Sequence, residues 1–164
     1  MSIKKIVVTA MLSALIFVTT TFINIPVFPS TGGLIHFGNI FIFLIALTMD
    51  KEYSLSGAIG LTLFDLLNSY TIWAPVTFVS RFLMAYIVNK LAYKSNNIIR
   101  IIASMLIGTI VCALMYYLYE SLLISNFYVA LASLLSDTIT LVISAFIALG
   151  LLPLVKRMLK NLDI

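Results

Sequence analysis

Long apolar runs separated by short polar breaks dominate the chain. At about 20 apolar residues per membrane crossing, fewer where a helix is short, they resolve into six helical segments: 4–23, 34–49, 52–68, 75–93, 98–123 and 127–152. The second and third are short and joined only by a turn at Asp50-Lys51, so a miscount there would give five or seven. Lys4 and Lys5 precede the first run, but residues 6–23 are long enough to span and no small-residue cleavage site follows. The run therefore reads as a span rather than a removed signal. Of the connections, only 24–33 (NIPVFPSTGG) has real length, with two prolines, two glycines and no charge. The expectation is a single all-α integral membrane domain, residues 1–164, with six transmembrane helices.

Composition narrows this further. Of the 164 residues 62% are hydrophobic and 10% charged, against about a quarter charged in soluble domains. A soluble globule is excluded, as is a disordered chain. One cysteine and one histidine exclude an internal disulfide and most protein-built zinc or iron sites, and Cys112 lies in an apolar run where it packs. The formal charge of +4 would suit a nucleic-acid partner, but its distribution points to topology. Lys4, Lys5, Lys51, Lys90, Lys94, Arg100, Lys156, Arg157 and Lys160, nine of the ten basic residues, fall on the side of both termini. The loops around 24–33, 69–74 and 121–126 contain none. By the positive-inside rule both termini are cytoplasmic, the long loop faces outside, and no basic surface is left for nucleic acid. The expected location is a prokaryotic plasma membrane, crossed several times.

Three charges remain inside spans: Asp65, Arg81 and Asp137. Such groups cost several kcal/mol unless paired or facing a wet cavity. Each sits on a polar stripe at helical spacing: Ala58, Thr62, Asp65 and Ser69; Thr77 and Arg81; Ser133, Asp137, Thr140 and Ser144. At 1.5 Å rise per residue, Arg81 lies about 9 Å and Asp137 about 15 Å inside the outer helix ends, with Asp65 about a turn from its own. A ligand pocket in the extracellular half is expected, with Asn24, His36, Asn39, Asp65, Tyr70, Trp73, Thr77, Arg81 and Asp137 as its substrate-binding residues. Asn68, Asn126, Tyr116, Tyr117, Tyr119 and Glu120 stand near the same mouth; an interfacial aromatic belt explains those tyrosines equally well. Asp65 and Arg81 read equally as an ion pair locking two helices. One arginine cannot neutralise two carboxylates, so the site either keeps one negative charge in excess or holds one carboxyl protonated, and a ligand offering N–H donors or a protonated ring nitrogen would relieve it. Trp73, Tyr70 or Phe78 would stack on such a ring. No nucleophile–base pair or metal-ligand spacing suggests an enzyme, and no cofactor is implied.

Taken together, these residues resemble the substrate-binding S components of energy-coupling factor (ECF) vitamin transporters over nearly the whole chain. The resemblance rests on the six-span plan and on Ala10-x-x-x-Ala14. It rests also on Leu34-Ile-His-Phe-Gly-Asn-Ile-Phe-Ile-Phe, Gly57-Ala-Ile-Gly-Leu-Thr-Leu-Phe-Asp65-Leu-Leu and Tyr70-Thr-Ile-Trp-Ala-Pro75-Val-Thr77-Phe-Val-Ser-Arg81. These runs look like the subgroup for riboflavin, hydroxymethylpyrimidine and vitamin B6 precursors; the family often has Lys where Arg81 stands. The resemblance implies high-affinity vitamin binding under the outer loop, with residues 24–33 as the gate. It also implies docking through Ala10 and Ala14 onto a membrane coupling subunit shared with two ATPase subunits. The absence of a phosphate-binding glycine loop agrees with ATP being hydrolysed elsewhere. Among ligands, a pyridoxine-like or hydroxymethylpyrimidine-like heterocycle suits the composition first and riboflavin second. An ion-coupled transporter acting alone, with Asp65, Arg81 and Asp137 as a proton relay, is the competing reading.

Overall fold

A computed structural model describes residues 2–28, 33–124 and 127–161. Six α-helices follow the six apolar segments: α1 (Ile3–Phe22), α2 (Gly38–Thr48), α3 (Leu55–Leu67), α4 (Ala74–Ala92), α5 (Ile98–Ile124) and α6 (Phe127–Asn161). Four of them, α1, α4, α5 and α6, are long and apolar enough to cross a membrane. Large apolar side chains cover their outer faces, including Ile3, Met11 and Phe22 on α1 and Leu118 and Leu122 on α5. Such surfaces suit lipid rather than water.

Where the expected boundaries fail, the cause is local. Eleven residues of α2 rise about 16 Å and thirteen of α3 about 20 Å, short of the roughly 30 Å hydrocarbon core. Every α2 residue except Phe41 is buried, because α1, α3, α4 and α6 all pack on it. An all-apolar helix is read from sequence as a span, but here it is the core of the bundle. The expected irregular loop at 24–33 is instead an antiparallel hairpin, β1 (Asn24–Phe28) with β2 (Gly33–His36), which also takes the first residues assigned to the second helix. Asn24 pairs with His36, Ile25 with Ile35, Pro26 with Leu34 and Phe28 with Gly33, with a shift of register between Pro26 and Phe28. β-Branched and aromatic residues favour this ribbon, and a two-stranded ribbon has only edges, where proline is tolerated. Residues 29–32, the tip of the expected gate, lie outside the described residues. The third segment begins with a 3-10 turn at Lys51–Ser54. The sixth does not end at Leu152: α6 continues through Pro153 to Asn161.

Two glycines let helices approach closely. A Cβ on Gly60 would stand 2.7 Å from the Ser13 carbonyl oxygen and 2.9 Å from Ile16 Cβ, so α1 and α3 meet there backbone to backbone. Gly108 serves the same purpose between α5 and α4, where a Cβ would meet Val88 at 2.8 Å.

One end of the bundle gathers the start of α1, the α2–α3 and α4–α5 turns and the end of α6, the segments that hold nine of the ten basic residues. There Lys5 bridges Asp50 (3.4 Å) and Glu52 (3.1 Å) in the α2–α3 turn. The Tyr93 hydroxyl donates to Asp50 at 2.6 Å; that bond, with the Lys5 ammonium, holds the Asp50 carboxyl below its ordinary range. The Asn89 amide caps α2 by donating to the carbonyls of Ala46 and Met49 at 2.9 and 2.8 Å. Lys156 reaches from α6 to the Ser95 carbonyl at 2.5 Å.

Gly60→Ala is expected to destabilise the purified protein by about 1–3 kcal/mol through overpacking, read as a lower melting temperature in detergent. Gly150→Ala, where nothing lies within 4 Å of the added carbon, should raise it slightly through helix propensity.

Candidate functional site

At the end of the bundle away from the basic residues, a chamber of about 60 Å³ opens among β2, α3, α4, α5 and α6. Helical spacing aims the polar groups at it. Thr77 and Arg81 lie one turn apart on α4, Tyr116 and Glu120 one turn apart on α5, and Ser133, Asp137 and Thr140 follow one stripe of α6. Leu61, Phe64 and Asp65 come from α3, and Tyr70 and Trp73 from the turn that reverses the chain into α4. That turn is tight: Ser69 takes a positive φ of 67°, and Pro75 enters the first turn of α4, where its missing N–H costs nothing.

A hydrogen-bond chain joins three helices. Thr77 donates its hydroxyl proton to Asp65, so the 2.5 Å contact between Thr77 and Tyr116 has the phenol as donor, since a threonine carries one proton. Tyr116 also lies under Arg81, whose guanidinium carbon is 5.1 Å from the ring centroid, a cation–π contact. Arg81 donates to Cys112 Sγ at 3.2 Å, while its Nε has no partner. The expected Asp65–Arg81 ion pair is not formed: among the described residues the ion pairs are those of Lys5. Asp65 is turned to the Thr77 hydroxyl, and the aromatic face and a thiol occupy the space beside the guanidinium. On the other wall, Trp73 Nε1 donates to Glu120 Oε1 at 3.0 Å, while Glu120 Oε2 is buried without a partner. Tyr70 stacks on Phe64 with centroids 5.8 Å apart, and Tyr119 anchors the turn by donating to the Ile72 carbonyl at 2.6 Å.

Of the nine residues expected from sequence, the chamber wall contains seven: His36, Asp65, Tyr70, Trp73, Thr77, Arg81 and Asp137. Asn24 is not on it; its amide donates to the carbonyls of Thr20 and Thr21 and closes the end of α1. Asn39 is the second residue of α2, fully buried, and neither amide atom has a partner. Phe78 is 40% exposed, because one residue beyond Thr77 turns it about 100° around α4, away from the chamber. Asn126 lies outside the described residues. Glu120, Tyr116, Ser133 and Thr140 line the wall without having been assigned to the site. The four-residue spacing of Tyr116 and Glu120 was the available signal, obscured by the equally good belt explanation for tyrosines. Leu61 and Phe64 gave no signal, being apolar residues in an apolar helix.

Three carboxyl groups therefore face one guanidinium. The family model described as ECF-type riboflavin transporter, S component, matches residues 1–160. The chain belongs to this S-component family. S components are the vitamin-binding subunits of ECF transporters; they associate with the ECF module in the membrane, and the family is one of transport rather than catalysis. Comparison with curated proteins gave no match.

Thr77→Val removes the middle of the Tyr116–Thr77–Asp65 chain and leaves a buried phenol and a carboxylate without partners. A loss of about 1–3 kcal/mol in stability is expected, measured by thermal or denaturant unfolding in detergent. Tyr116→Phe, which leaves the Thr77–Asp65 bond intact, should cost less.

Proposed function

We propose that this S component binds a small, single-ring nitrogen heterocycle, of pyridoxine or hydroxymethylpyrimidine type, in the chamber between the hairpin and α3–α6. The carrying observation is the combination of a chamber of about 60 Å³ with three carboxyl groups around one guanidinium. At about 10–15 Å³ per water-sized group, that volume takes roughly four to six such groups, fewer than the roughly ten to twelve heavy atoms of a substituted single ring, so even this ligand widens the chamber somewhat. A tricyclic flavin with a polyhydroxyl chain needs far more. Asp137 and Glu120 would accept from ring or exocyclic N–H groups, and Trp73 and Tyr70 would cover the ring face. His36, Asp65, Thr77 and Arg81 complete the proposed contacts, while Asn24 acts one step behind by holding the end of α1 and the unpaired amide of Asn39 lies behind His36.

The second reading, riboflavin, is favoured by the printed description of the matching family. It requires the hairpin and the Tyr70–Trp73 turn to move apart. The ion-coupled transporter acting alone has no such support, since S components work with an ECF module.

In the proposed topology both termini are cytoplasmic and the chamber opens outside, in line with nine basic residues at the opposite end. Ala10 and Ala14 are exposed on α1, opposite buried Thr9, Ser13 and Ile16. This flat, small-residue strip suits a partner helix, and its proposed partner is the coupling subunit that two ATPases drive.

Titration calorimetry of the purified protein with pyridoxine, hydroxymethylpyrimidine and riboflavin tests the assignment. One of the single-ring compounds is expected to bind tightest, and riboflavin binding tightest would overturn it. Asp137→Asn should weaken the preferred ligand about 10- to 100-fold, as loss of a charge-assisted hydrogen bond would; unchanged affinity removes Asp137 from the site. Ala10→Trp should abolish uptake in cells carrying the ECF module while leaving ligand affinity of the isolated protein unchanged. Uptake surviving that change would place docking elsewhere.

A further inference from the structure

On another face of α6 from the chamber, an apolar groove of about 150 Å³ follows the seam between α5 and α6, walled by Ile102, Met105 and Leu106 on one side and Val142, Ala145 and Leu149 on the other. Toward the basic end, a second hollow of about 250 Å³ is lined by Thr48, Lys94, Asn96, Lys156, Leu159 and Lys160. The two belong to one stripe. At 100° per residue, Val142, Ala145, Leu149, Lys156 and Lys160 fall within about 60° of each other around α6. On α5 the groove residues lead back along the helix to the 94–96 turn that borders the hollow.

The chemistry changes along this stripe as it does along a lipid. The groove is wholly apolar apart from Thr109 at its far end. The hollow contains three lysines and no acid among its described lining residues. Lys156 donates to two neutral acceptors, the Ser95 carbonyl at 2.5 Å and Asn96 Oδ1 at 3.1 Å. Both leave its charge uncompensated and its third proton available. Lys94 stands 5.3 Å from the Tyr93 ring centroid; the nearby carboxyl, Asp50, is already engaged by Lys5 and Tyr93. Leu149 and Lys156 are about 10 Å apart along α6, so a chain in the groove puts its ester and phosphate at the lysines. The 35 residues of α6 rise about 52 Å, so the helix outruns a hydrocarbon core of roughly 30 Å and carries Lys156 and Lys160 to headgroup level.

We propose that this stripe is a binding site for one anionic phospholipid, its phosphate held by Lys94, Lys156 and Lys160 and an acyl chain seated between α5 and α6. The full-length protein would be analysed by native mass spectrometry from detergent containing phosphatidylglycerol or phosphatidylcholine of the same chain length. Wild type is expected to retain phosphatidylglycerol preferentially. The double change K156Q/K160Q should lower that retention about 30-fold, and Lys51→Gln with Lys90→Gln, the same charge loss outside the hollow, should leave it unchanged. Ala145→Trp, which fills the groove, should also lower it, and glycerol phosphate should not displace the lipid. Equal retention of the two lipids, an equal effect of both lysine pairs, or retention unaffected by Ala145→Trp would each overturn the proposal. Displacement by glycerol phosphate would overturn it too, identifying free phosphate as the ligand.

Discussion

Desolvation of charge organises this molecule. A chain that is 62% hydrophobic and 10% charged nevertheless places an arginine, two aspartates and a glutamate around one chamber. None of these would persist at that depth in contact with lipid, at a cost of several kcal/mol each. The bundle therefore has to close around them. Arg81 is met by the face of Tyr116, Tyr116 by Thr77, and Thr77 by Asp65, so one chain of contacts ties α5, α4 and α3 together. Removing any link leaves a buried group without a partner. The polar site and the fold share this one requirement, which is why binding residues and helix-locking residues coincide.

Incomplete satisfaction is equally informative. Arg81 Nε, Glu120 Oε2 and His36 Nδ1 are buried at the chamber without partners. A network built only to hold helices together would close these valences, because each open one is costly. They come from three different elements, β2, α4 and α5, yet all border the one chamber, which supports the proposed binding site. Asn39, fully buried with both amide atoms unpaired behind His36 and beside Gly38, extends the same polarity inward. The short central helix α2 thus carries a buried polar group at its start as well as the bundle core.

Much of this was legible in the sequence because membrane proteins obey few but strong rules. The spans of α1, α4, α5 and α6 follow from apolar length, and the one-sided basic residues from the positive-inside rule. Seven of the wall residues followed from the cost of polarity at depth. The misreading of α2 has its cause in burial by neighbours rather than by lipid. An apolar run surrounded by helices, as in α2, looks identical to one surrounded by acyl chains. The hairpin at β1–β2 lacked clean alternation and held prolines, so its pairing was hidden until the ends of α1 and α2 brought Asn24 opposite His36. The sixth segment was expected to end at Leu152, just before Pro153, but α6 continues to Asn161; the proline removes one backbone hydrogen bond without ending the helix.

The longest helix shows how one element serves two surfaces without conflict. Counting 100° per residue, the stripe of Ser133, Asp137, Thr140 and Ser144 lies roughly 150° around α6 from Val142, Leu149 and Lys160. One face turns to the chamber, the other to the seam with lipid. Asp137 and Lys156 are 19 residues apart in the sequence, about 28 Å along the axis, close to the full hydrocarbon thickness. A rigid helix of this length relates a polar guest at one interface to a phosphate at the other. Tilting the bundle to present the chamber to the far side would drag the lysines away from the headgroup plane. Any reorientation in the membrane thus works against that electrostatic tether, and the strength of the tether becomes part of the barrier that a coupling partner has to overcome.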